Sequence, residues 1–179
     1  MILKEDSSEQ KLRGAYYTPL KLAKKMVDFF KDDLSIKSIL EPSCGDGVFV
    51  DALLESQFLS QHKRVTAIEI EKKEAEKLSE KLKDNSNIDV VNGDFFEFYH
   101  KHKDMDTYDL ILGNPPYIRY QYLEEKQRSE MAEILTSHGM KANKLINTWV
   151  GFMVACVHML SDNGTVSYTH LTLPTICSV

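Results

Sequence analysis

The sequence has few cysteines and no excess of positive charge. Its 179 residues include only Cys44, Cys156 and Cys177, whose spacing fits neither a disulfide framework nor a zinc site. The formal net charge of −5 excludes a general nucleic-acid binder held by bulk positive charge. Any contact with DNA must therefore come from a local patch or from protein outside these residues.

The sequence also lacks a long uninterrupted hydrophobic segment. Its N-terminus has no apolar region of the kind found in signal peptides. The longest apolar stretch, residues 145–160, contains Asn147, Thr148 and His158 and is short for a bilayer span, so we interpret it as a buried helix. We expect one cytoplasmic globular domain at residues 14–165, preceded by a flexible polar segment at residues 1–13.

Short apolar segments alternate with amphipathic ones along the chain. We predict strands at residues 38–40, 64–70, 88–91 and 107–112, and helices at residues 19–30, 48–59, 71–83, 95–100, 121–135 and 144–160. This alternation predicts an α/β fold with a mostly parallel sheet and right-handed crossovers. The turn signal Asp162-Asn163-Gly164 predicts that any fifth strand begins only after it, at about Val166.

The segment from Glu41 to Gly47 joins the first predicted strand to a helix. Gly45 and Gly47 allow the backbone to approach a ligand closely and to adopt a positive φ. Such a turn is weak evidence on its own. It gains weight because Glu69 ends the next strand, where a carboxylate accepts hydrogen bonds from the hydroxyls of a ribose. Together these features indicate a nucleotide-like cofactor.

A second acidic residue follows the third predicted strand. Asp94 can accept a hydrogen bond from an adenine amino group, and the Phe95 ring can pack on the base. Each residue also has a structural interpretation: Asp94 as the N-cap of a helix, Phe95 as core, and Glu69 as the start of a solvated helix. The order of the motifs, each at a successive strand end, favours the functional interpretation.

The segment Asn114-Pro115-Pro116-Tyr117 follows the fourth predicted strand. Two prolines cannot continue a central strand, so the chain leaves the sheet at its carboxyl edge, where ligands bind in open α/β sheets. Asn114 and the Pro115 carbonyl can accept the hydrogens of a planar amino group, and Tyr117 can stack on its ring. The alternatives are a turn role for Asn114 and a core role for Tyr117.

These motifs, in this order, resemble the S-adenosylmethionine-dependent adenine-N6 DNA methyltransferases of restriction-modification systems. The resemblance is to members whose cofactor motifs precede the target-recognition domain, and it covers residues 13–164. Gly14-Ala15-Tyr16-Tyr17-Thr18-Pro19 is similar to their N-terminal cofactor motif, and residues 40–49 are similar to their first-strand motif. The helix predicted within residues 143–160 is similar to the one before their fifth strand.

The resemblance implies a Rossmann-like methyltransferase fold and a set of site residues. The implied cofactor-binding residues are Tyr17, Thr18, Glu41, Pro42, Ser43, Cys44, Gly45, Gly47, Glu69, Ile70, Asp94, Phe95 and Asn114. The implied catalytic residues are Asn114, Pro115, Pro116 and Tyr117, with Tyr117 and Arg119 contacting DNA, and no metal is needed. Thr18 would contact the methionine carboxylate. The implied partners are double-stranded DNA and a separate or fused restriction endonuclease.

The last residues match a DNA sequence of artificial origin. Translation of the transposase mosaic end and the adjoining adapter used for sequencing libraries gives residues 166–175 in order. We therefore expect residues 166–179 to be a non-native tail, although Val166-Ser167-Tyr168-Thr169 also has strand propensity. On this view the fold is truncated before its last strands, the target-recognition domain lies outside the chain, and the exposed sheet edge promotes aggregation.

Two other functions remain open. A protein glutamine-N5 methyltransferase uses the same tetrapeptide, because a carboxamide nitrogen has a similarly delocalised lone pair. The Tyr16-Tyr17-Thr18-Pro19 segment argues against that substrate. The chain could also be a non-catalytic remnant that binds cofactor without turnover.

Overall fold

A computed structural model describes residues 18–59, 63–143 and 146–169. Five strands form one sheet in the order β3-β2-β1-β4-β5, and every pairing is parallel. The strands are β1 (Ser38–Glu41), β2 (Arg64–Glu69), β3 (Ile88–Asn92), β4 (Tyr108–Gly113) and β5 (Leu160–Tyr168). The α/β fold with a parallel sheet is confirmed.

The described residues also form six α-helices and one short 3-10 helix. The helices are α1 (Leu20–Asp28), α2 (Val48–Glu55), α3 (Lys72–Lys81), α4 (Phe95–His102), α5 (Glu125–Ser137) and α6 (Thr148–His158), and the 3-10 turn is Tyr120–Tyr122. All six predicted helices are present, with shifted ends. α2, for example, is shorter than predicted because the chain turns at Gln57, which has a φ of 56°.

The helices cover both faces of the sheet. On one face Ile39, Val65 and Leu110 pack against α1 and α2. On the other face Leu40 and Ile111 pack against α4, α5 and α6. Neighbouring residues of one strand thus point to opposite faces, and both faces are buried, as expected for a parallel sheet.

The apolar stretch near residue 150 forms α6. Its residues Gly151, Phe152, Ala155 and Cys156 are buried, which confirms the prediction of a buried helix. A Cβ added at Gly151 would lie 2.8 Å from Met131 Cγ, so this glycine permits close packing of α6 on α5. Within residues 18–59, 63–143 and 146–169, no helix combines the length and hydrophobicity that a bilayer span requires.

The prediction that the sheet ends before its fifth strand is wrong. β5 begins at Leu160 and continues through Asp162-Asn163-Gly164, where its register with β4 is irregular. A Cβ at Gly164 would lie 2.7 Å from the Tyr108 carbonyl oxygen, so only a glycine lets the backbone of β5 approach β4 this closely. Val166 pairs with Ile111, which places part of the suspected tail in the sheet, whereas its artificial origin stays a prediction.

The connections place β1 and β4 side by side at the centre of the sheet. β2 and β3 lie on one side of β1, and β4 and β5 lie on the other. The strand order reverses between β1 and β4, and ligands bind at such a switch point, beyond the carboxyl ends of the strands. Glu41, Glu69 and Gly113 are the last residues of β1, β2 and β4 at this edge.

Candidate active site

A cavity of about 1060 Å³ opens at the carboxyl edge of the sheet. Its size is that of a pocket for a cofactor or small ligand. The predicted site residues that line it are Thr18, Glu41, Pro42, Ser43, Cys44, Gly45, Glu69, Ile70, Asp94, Phe95, Asn114 and Pro116. Gly47, Pro115, Tyr117 and Arg119 are not among its lining residues, and Tyr17 lies outside the described residues.

The turn after β1 forms one wall of this cavity. Gly45 and Gly47 have φ values of 54° and 83°, in the left-handed region that disfavours other residues. A Cβ at Gly47 would lie 2.5 Å from Leu78 Cδ1, so this glycine also lets the turn pack against α3. The Cys44 amide donates to the Ile68 carbonyl at 2.8 Å and fixes the turn beside β2. Both glycines are thus required by backbone geometry, as the sequence predicts.

Glu69 is held beside this turn by two backbone amides. Its Oε2 accepts a hydrogen bond from the Gly45 amide at 2.7 Å, and its Oε1 accepts one from the Glu71 amide at 2.7 Å. Burial raises the pKa of Glu69, and the two hydrogen bonds only partly oppose this shift. Each carboxylate oxygen can accept a further hydrogen bond. Glu69 is therefore held in the cavity lining with acceptor positions left on both of its oxygens.

Glu41 is a buried carboxyl group in the cavity wall. It is 1% exposed, and burial, followed by repulsion from Asp46 and Glu69, raises its pKa well above the ordinary value. Within the part of the chain that the structure describes, its Oε2 has no hydrogen-bond partner. A buried carboxylate is costly unless a cation or donor compensates it. The site therefore fits a ligand that carries a positive charge.

Asp94 lines the cavity and caps α4. Its Oδ1 accepts hydrogen bonds from the Phe96 amide at 2.7 Å and the Glu97 amide at 3.3 Å, which confirms the N-cap interpretation. Its Oδ2 accepts a hydrogen bond from Gln127 Nε2 at 2.7 Å. Phe95 is 3% exposed, and its ring centroid lies 4.7 Å from that of Phe152. Phe95 thus belongs to the core as well as to the cavity wall.

The loop after β4 is fixed at both of its ends. Near its start, Ser43 Oγ donates to the Asn114 carbonyl oxygen at 3.4 Å. Near its end, the Ile118 carbonyl accepts from both the Thr148 hydroxyl at 2.7 Å and the Thr148 amide at 2.9 Å. Thr148 is 2% exposed and begins α6. The loop that contains the Asn-Pro-Pro-Tyr motif is therefore held in one position relative to the cavity.

Three other predicted residues have distinct surroundings. Thr18 is buried, and its Oγ1 lies 3.5 Å from Thr169 Oγ1. Tyr117 is half-buried and donates its hydroxyl to the Thr169 carbonyl at 3.3 Å. Arg119 is exposed and forms an isolated antiparallel bridge with Asn147. Thr18 thus lies in the cavity wall, while Tyr117 and Arg119 lie beside it.

The sequence did not identify Gln127 and Thr148 as part of the site. Both lie in helices that follow the strand-end motifs, and each contacts a motif residue or its loop only through tertiary structure. Thr148 follows Asn147, whose side chain accepts from the Trp149 amide and caps α6. The helix start that follows the Asn-Pro-Pro-Tyr loop could have suggested such a contact for Thr148, whereas nothing in the local sequence marks Gln127.

The architecture is that of the Rossmann-like methyltransferase fold. A type I restriction-modification methyltransferase subunit from Streptococcus thermophilus superposes with a TM-score of 0.67 and 18% identity, covering 86% of this chain and 34% of that one. A putative class I S-adenosylmethionine-dependent methyltransferase from Listeria monocytogenes superposes with a TM-score of 0.63 and 10% identity, covering 87% and 46% of the two chains. These similarities establish the fold.

Sequence comparison then identifies the family. The profile of the Eco57I restriction-modification methylase family matches residues 16–171, so the chain belongs to that family. The type II methyltransferase M.AccI of Acinetobacter calcoaceticus is 29% identical over 86% of this chain, and M.HincII of Haemophilus influenzae is 29% identical over 91%. The chain spans 27% and 28% of the lengths of these two relatives. S-adenosylmethionine is the cofactor that this family and fold imply.

Proposed function

We propose that the chain is the cofactor-binding and catalytic part of an enzyme that methylates the N6 amino group of adenine in DNA. The observation that carries this proposal is the position of Asn114 and Pro116 in the same cavity wall as Glu41 and Glu69. A polar group that can bind an amine thus lies in one cleft with two carboxylates suited to a cationic nucleoside. The type II methyltransferases among its relatives support DNA as the substrate.

The cavity residues suit the parts of S-adenosylmethionine. Glu69, oriented by the Gly45 and Glu71 amides, would accept the two ribose hydroxyls. Glu41 would compensate the positive charge of the α-ammonium group, which gives its unsatisfied oxygen a partner. The Thr18 hydroxyl would bind the methionine carboxylate. Asp94, Phe95 and Ile70 would surround the adenine, and the half-exposed Ile70 offers an apolar surface for it.

Asn114 and Pro115 would act on the amino group of the target base. That nitrogen is a poor nucleophile because its lone pair is delocalised into the ring. The Asn114 side-chain oxygen and the Pro115 carbonyl would each accept one amine hydrogen, which favours a tetrahedral nitrogen and localises the lone pair. The bound cofactor supplies an electrophilic methyl group. Catalysis then depends on positioning and electrostatics, with no metal and no covalent intermediate on the protein.

The target adenine must leave the duplex before it can enter this site. Extruding a base costs a few kcal/mol. Tyr117 would recover about 1–3 kcal/mol by stacking on the base. Arg119 is exposed beside the cavity and would bind a nearby phosphate. We expect double-stranded DNA to be selected by a target-recognition domain, the enzyme to act in the cytoplasm, and a restriction endonuclease to accompany or be fused to it.

The test is Asn114→Ala in the complete protein, with Asn163→Ala as a matched control at an exposed position of β5. We expect the wild type and the control to form N6-methyladenine in DNA, as measured by mass spectrometry of nucleosides. The Asn114 variant should lose at least about 100-fold in rate because it lacks the group that binds the amine. It should still bind S-adenosylhomocysteine.

Retained DNA methylation by Asn114→Ala would contradict the proposed role. If the wild type methylates a glutamine of a release-factor-like protein and leaves DNA unmodified, the glutamine-N5 alternative is correct. If it binds cofactor but transfers methyl groups to neither substrate, the chain derives from a non-catalytic remnant.

A further inference from the structure

Gln127 links the start of α5 to the part of the cavity where Asp94 lies. Its Nε2 donates a hydrogen bond to Asp94 Oδ2 at 2.7 Å, and its Oε1 accepts one from the Glu124 amide at 3.4 Å. The second contact belongs to a capping box at the N-terminus of α5. These two contacts determine the orientation of the Gln127 amide. If the amide were flipped, its NH₂ group would face the Glu124 N–H, and its oxygen would face Asp94 Oδ2.

The hydrogen bonds of Asp94 leave room for one more donor. A carboxylate offers about four acceptor positions. Two are used on Oδ1 by the amides of Phe96 and Glu97, and one is used on Oδ2 by Gln127. The position that remains on Oδ2 can accept a hydrogen from an exocyclic amino group. It cannot favourably face a carbonyl oxygen, since an ionised carboxylate only accepts hydrogen bonds.

We propose that Gln127 is a positioning residue that makes the cavity selective for a 6-aminopurine over a 6-oxopurine. This inference rests on the proposed function, because it assumes that Asp94 binds the cofactor base. Gln127 acts through Asp94: it fixes the rotation of the carboxylate and, as a neutral donor, keeps Oδ2 an acceptor. Tyr122, Leu123 and Glu124, which precede α5, also line the cavity, so the chain from the 3-10 turn to the first turn of α5 bounds it on this side.

A carboxylate in place of Gln127 should remove most of this preference. Gln127→Glu keeps the side-chain shape and the acceptor for the Glu124 amide, but it places two carboxyl groups within hydrogen-bonding distance. Such a pair shares a proton, because two like charges at about 3 Å cannot both be ionised. The shared hydrogen then lies between the two carboxyl groups and lowers the negative charge on Asp94 Oδ2, so the amino ligand loses most of its advantage over a 6-oxopurine.

The test compares two ligands on the 179-residue chain by calorimetry. One ligand is S-adenosylhomocysteine, and the other is S-inosylhomocysteine, which has an oxygen in place of the 6-amino group. The wild type should prefer the amino ligand by at least about 10-fold, which corresponds to one lost hydrogen bond to a charged group. Gln127→Glu should reduce that ratio at least about 10-fold. Ser129→Glu adds the same charge at an exposed position of α5 and should leave the ratio unchanged.

The outcomes separate this inference from the proposed function. Equal weakening of both ligands in Gln127→Glu would show that Gln127 only supports the fold, and would overturn the inference without contradicting the assignment of the cofactor cleft. An unchanged ratio would overturn it as well. If the folded wild type binds neither ligand, the assignment of the cofactor cleft fails, and the inference fails with it. Circular dichroism of each variant shows that it is folded.

Discussion

Carboxylates at the two ends of the central strands differ in how completely they are hydrogen-bonded. At the amino end of β4, Asp109 accepts hydrogen bonds from the Lys37 amide at 2.9 Å, the Ser38 amide at 3.0 Å and the Ser161 hydroxyl at 2.7 Å. At the carboxyl end of β1, Glu41 is buried with one oxygen that lacks a partner among the described residues. Asp109 thus links β4 to β1 and β5 by hydrogen bonds, whereas the buried Oε2 of Glu41 has no such partner in the described part of the chain.

The pKa values of the two groups shift in opposite directions. Burial alone would raise the pKa of Asp109, but its hydrogen bonds outweigh burial and lower it. Burial raises the pKa of Glu41 well above its ordinary value. We therefore expect Asp109 at the amino end to stabilise the fold, and Glu41 at the carboxyl end to cost stability when no ligand is bound. This division is expected where strain or unsatisfied charge occurs at functional sites.

The largest expected effect is the loss of stability when the hydrogen-bonded Asp109 carboxylate is removed. Asp109→Ala should lower the free energy of unfolding by about 3 kcal/mol, because it removes charge-assisted hydrogen bonds from the Lys37 amide and from the part-buried donors of Ser38 and Ser161. The affinity of the folded molecules for S-adenosylhomocysteine should not change. Urea denaturation and calorimetry measure the two quantities, and Asp89→Ala, an exposed residue of β3, is the control.

The pH dependence of this variant gives a second check. Because the pKa of Asp109 is lowered in the folded state, its contribution is present above the unfolded value of 3.8 and is lost as the pH falls through the folded pKa. The difference between Asp109→Ala and the wild type should therefore shrink in acid. An equal difference at neutral pH and at pH 3 would contradict the assignment of its stability to charge.

The next effect concerns Glu69, which has two backbone partners and for which we propose a role in cofactor binding. Glu69→Gln should weaken S-adenosylhomocysteine binding by about 10-fold to 100-fold, because hydrogen bonds from hydroxyls to a charged group are each worth about 1.5–3 kcal/mol. Calorimetric titration measures this change, with Glu80→Gln on the exposed face of α3 as the control. Unchanged affinity would mean that Glu69 only holds the Gly45 turn.

Substitution of Thr148 tests whether kcat depends on holding the loop after β4 in position. Thr148→Val in the complete protein removes the hydroxyl that binds the Ile118 carbonyl but keeps the amide contact. We expect kcat to fall about 10-fold, equivalent to about 1.4 kcal/mol, while the cofactor dissociation constant stays the same. Thr148→Ser should restore the rate. A loss of stability with an unchanged kcat would indicate a purely structural role.

The smallest effect is a gain in stability at Glu41. Glu41→Gln should raise the melting temperature of the ligand-free chain by about 2–4 °C at neutral pH, which corresponds to about 1 kcal/mol. The pKa of Glu41 is higher in the folded state than its unfolded value of 4.5. The protein therefore loses stability as the pH rises from 4.5 through the folded pKa, because Glu41 must then ionise in a buried position. The gain should therefore disappear below pH 4. A lower melting temperature at neutral pH would contradict the account.

The sequence predicted the carboxyl edge well because each strand ends in a distinctive motif. Gly45, Glu69, Asp94 and Asn114 follow four apolar segments, and parallel strands bring such ends together without further information. The same reasoning failed for β5. The local turn signal at Asp162-Asn163-Gly164 was outweighed by pairing with β4, which depends on tertiary structure.

The contacts that refine the site could not be predicted from the sequence. Gln127 reaches Asp94 across 33 positions of sequence, and Thr148 reaches Ile118 across 30. Both are ordinary helix residues until the helices pack on the sheet. The lack of a hydrogen-bond partner for Glu41 Oε2 among the described residues could not be predicted either. The sequence places a glutamate at a strand end but does not indicate how deeply it is buried or which donors surround it.

The most direct test of the central claim is whether Glu41 binds the positive charge of the cofactor. The measurement is the affinity of the chain for S-adenosylhomocysteine and for its analogue in which hydrogen replaces the α-ammonium group. We predict that the wild type binds the analogue at least about 10-fold more weakly and that Glu41→Gln removes this difference, as expected for one charged pair. Equal affinity of the wild type for both ligands, or no binding by the folded chain, would contradict it.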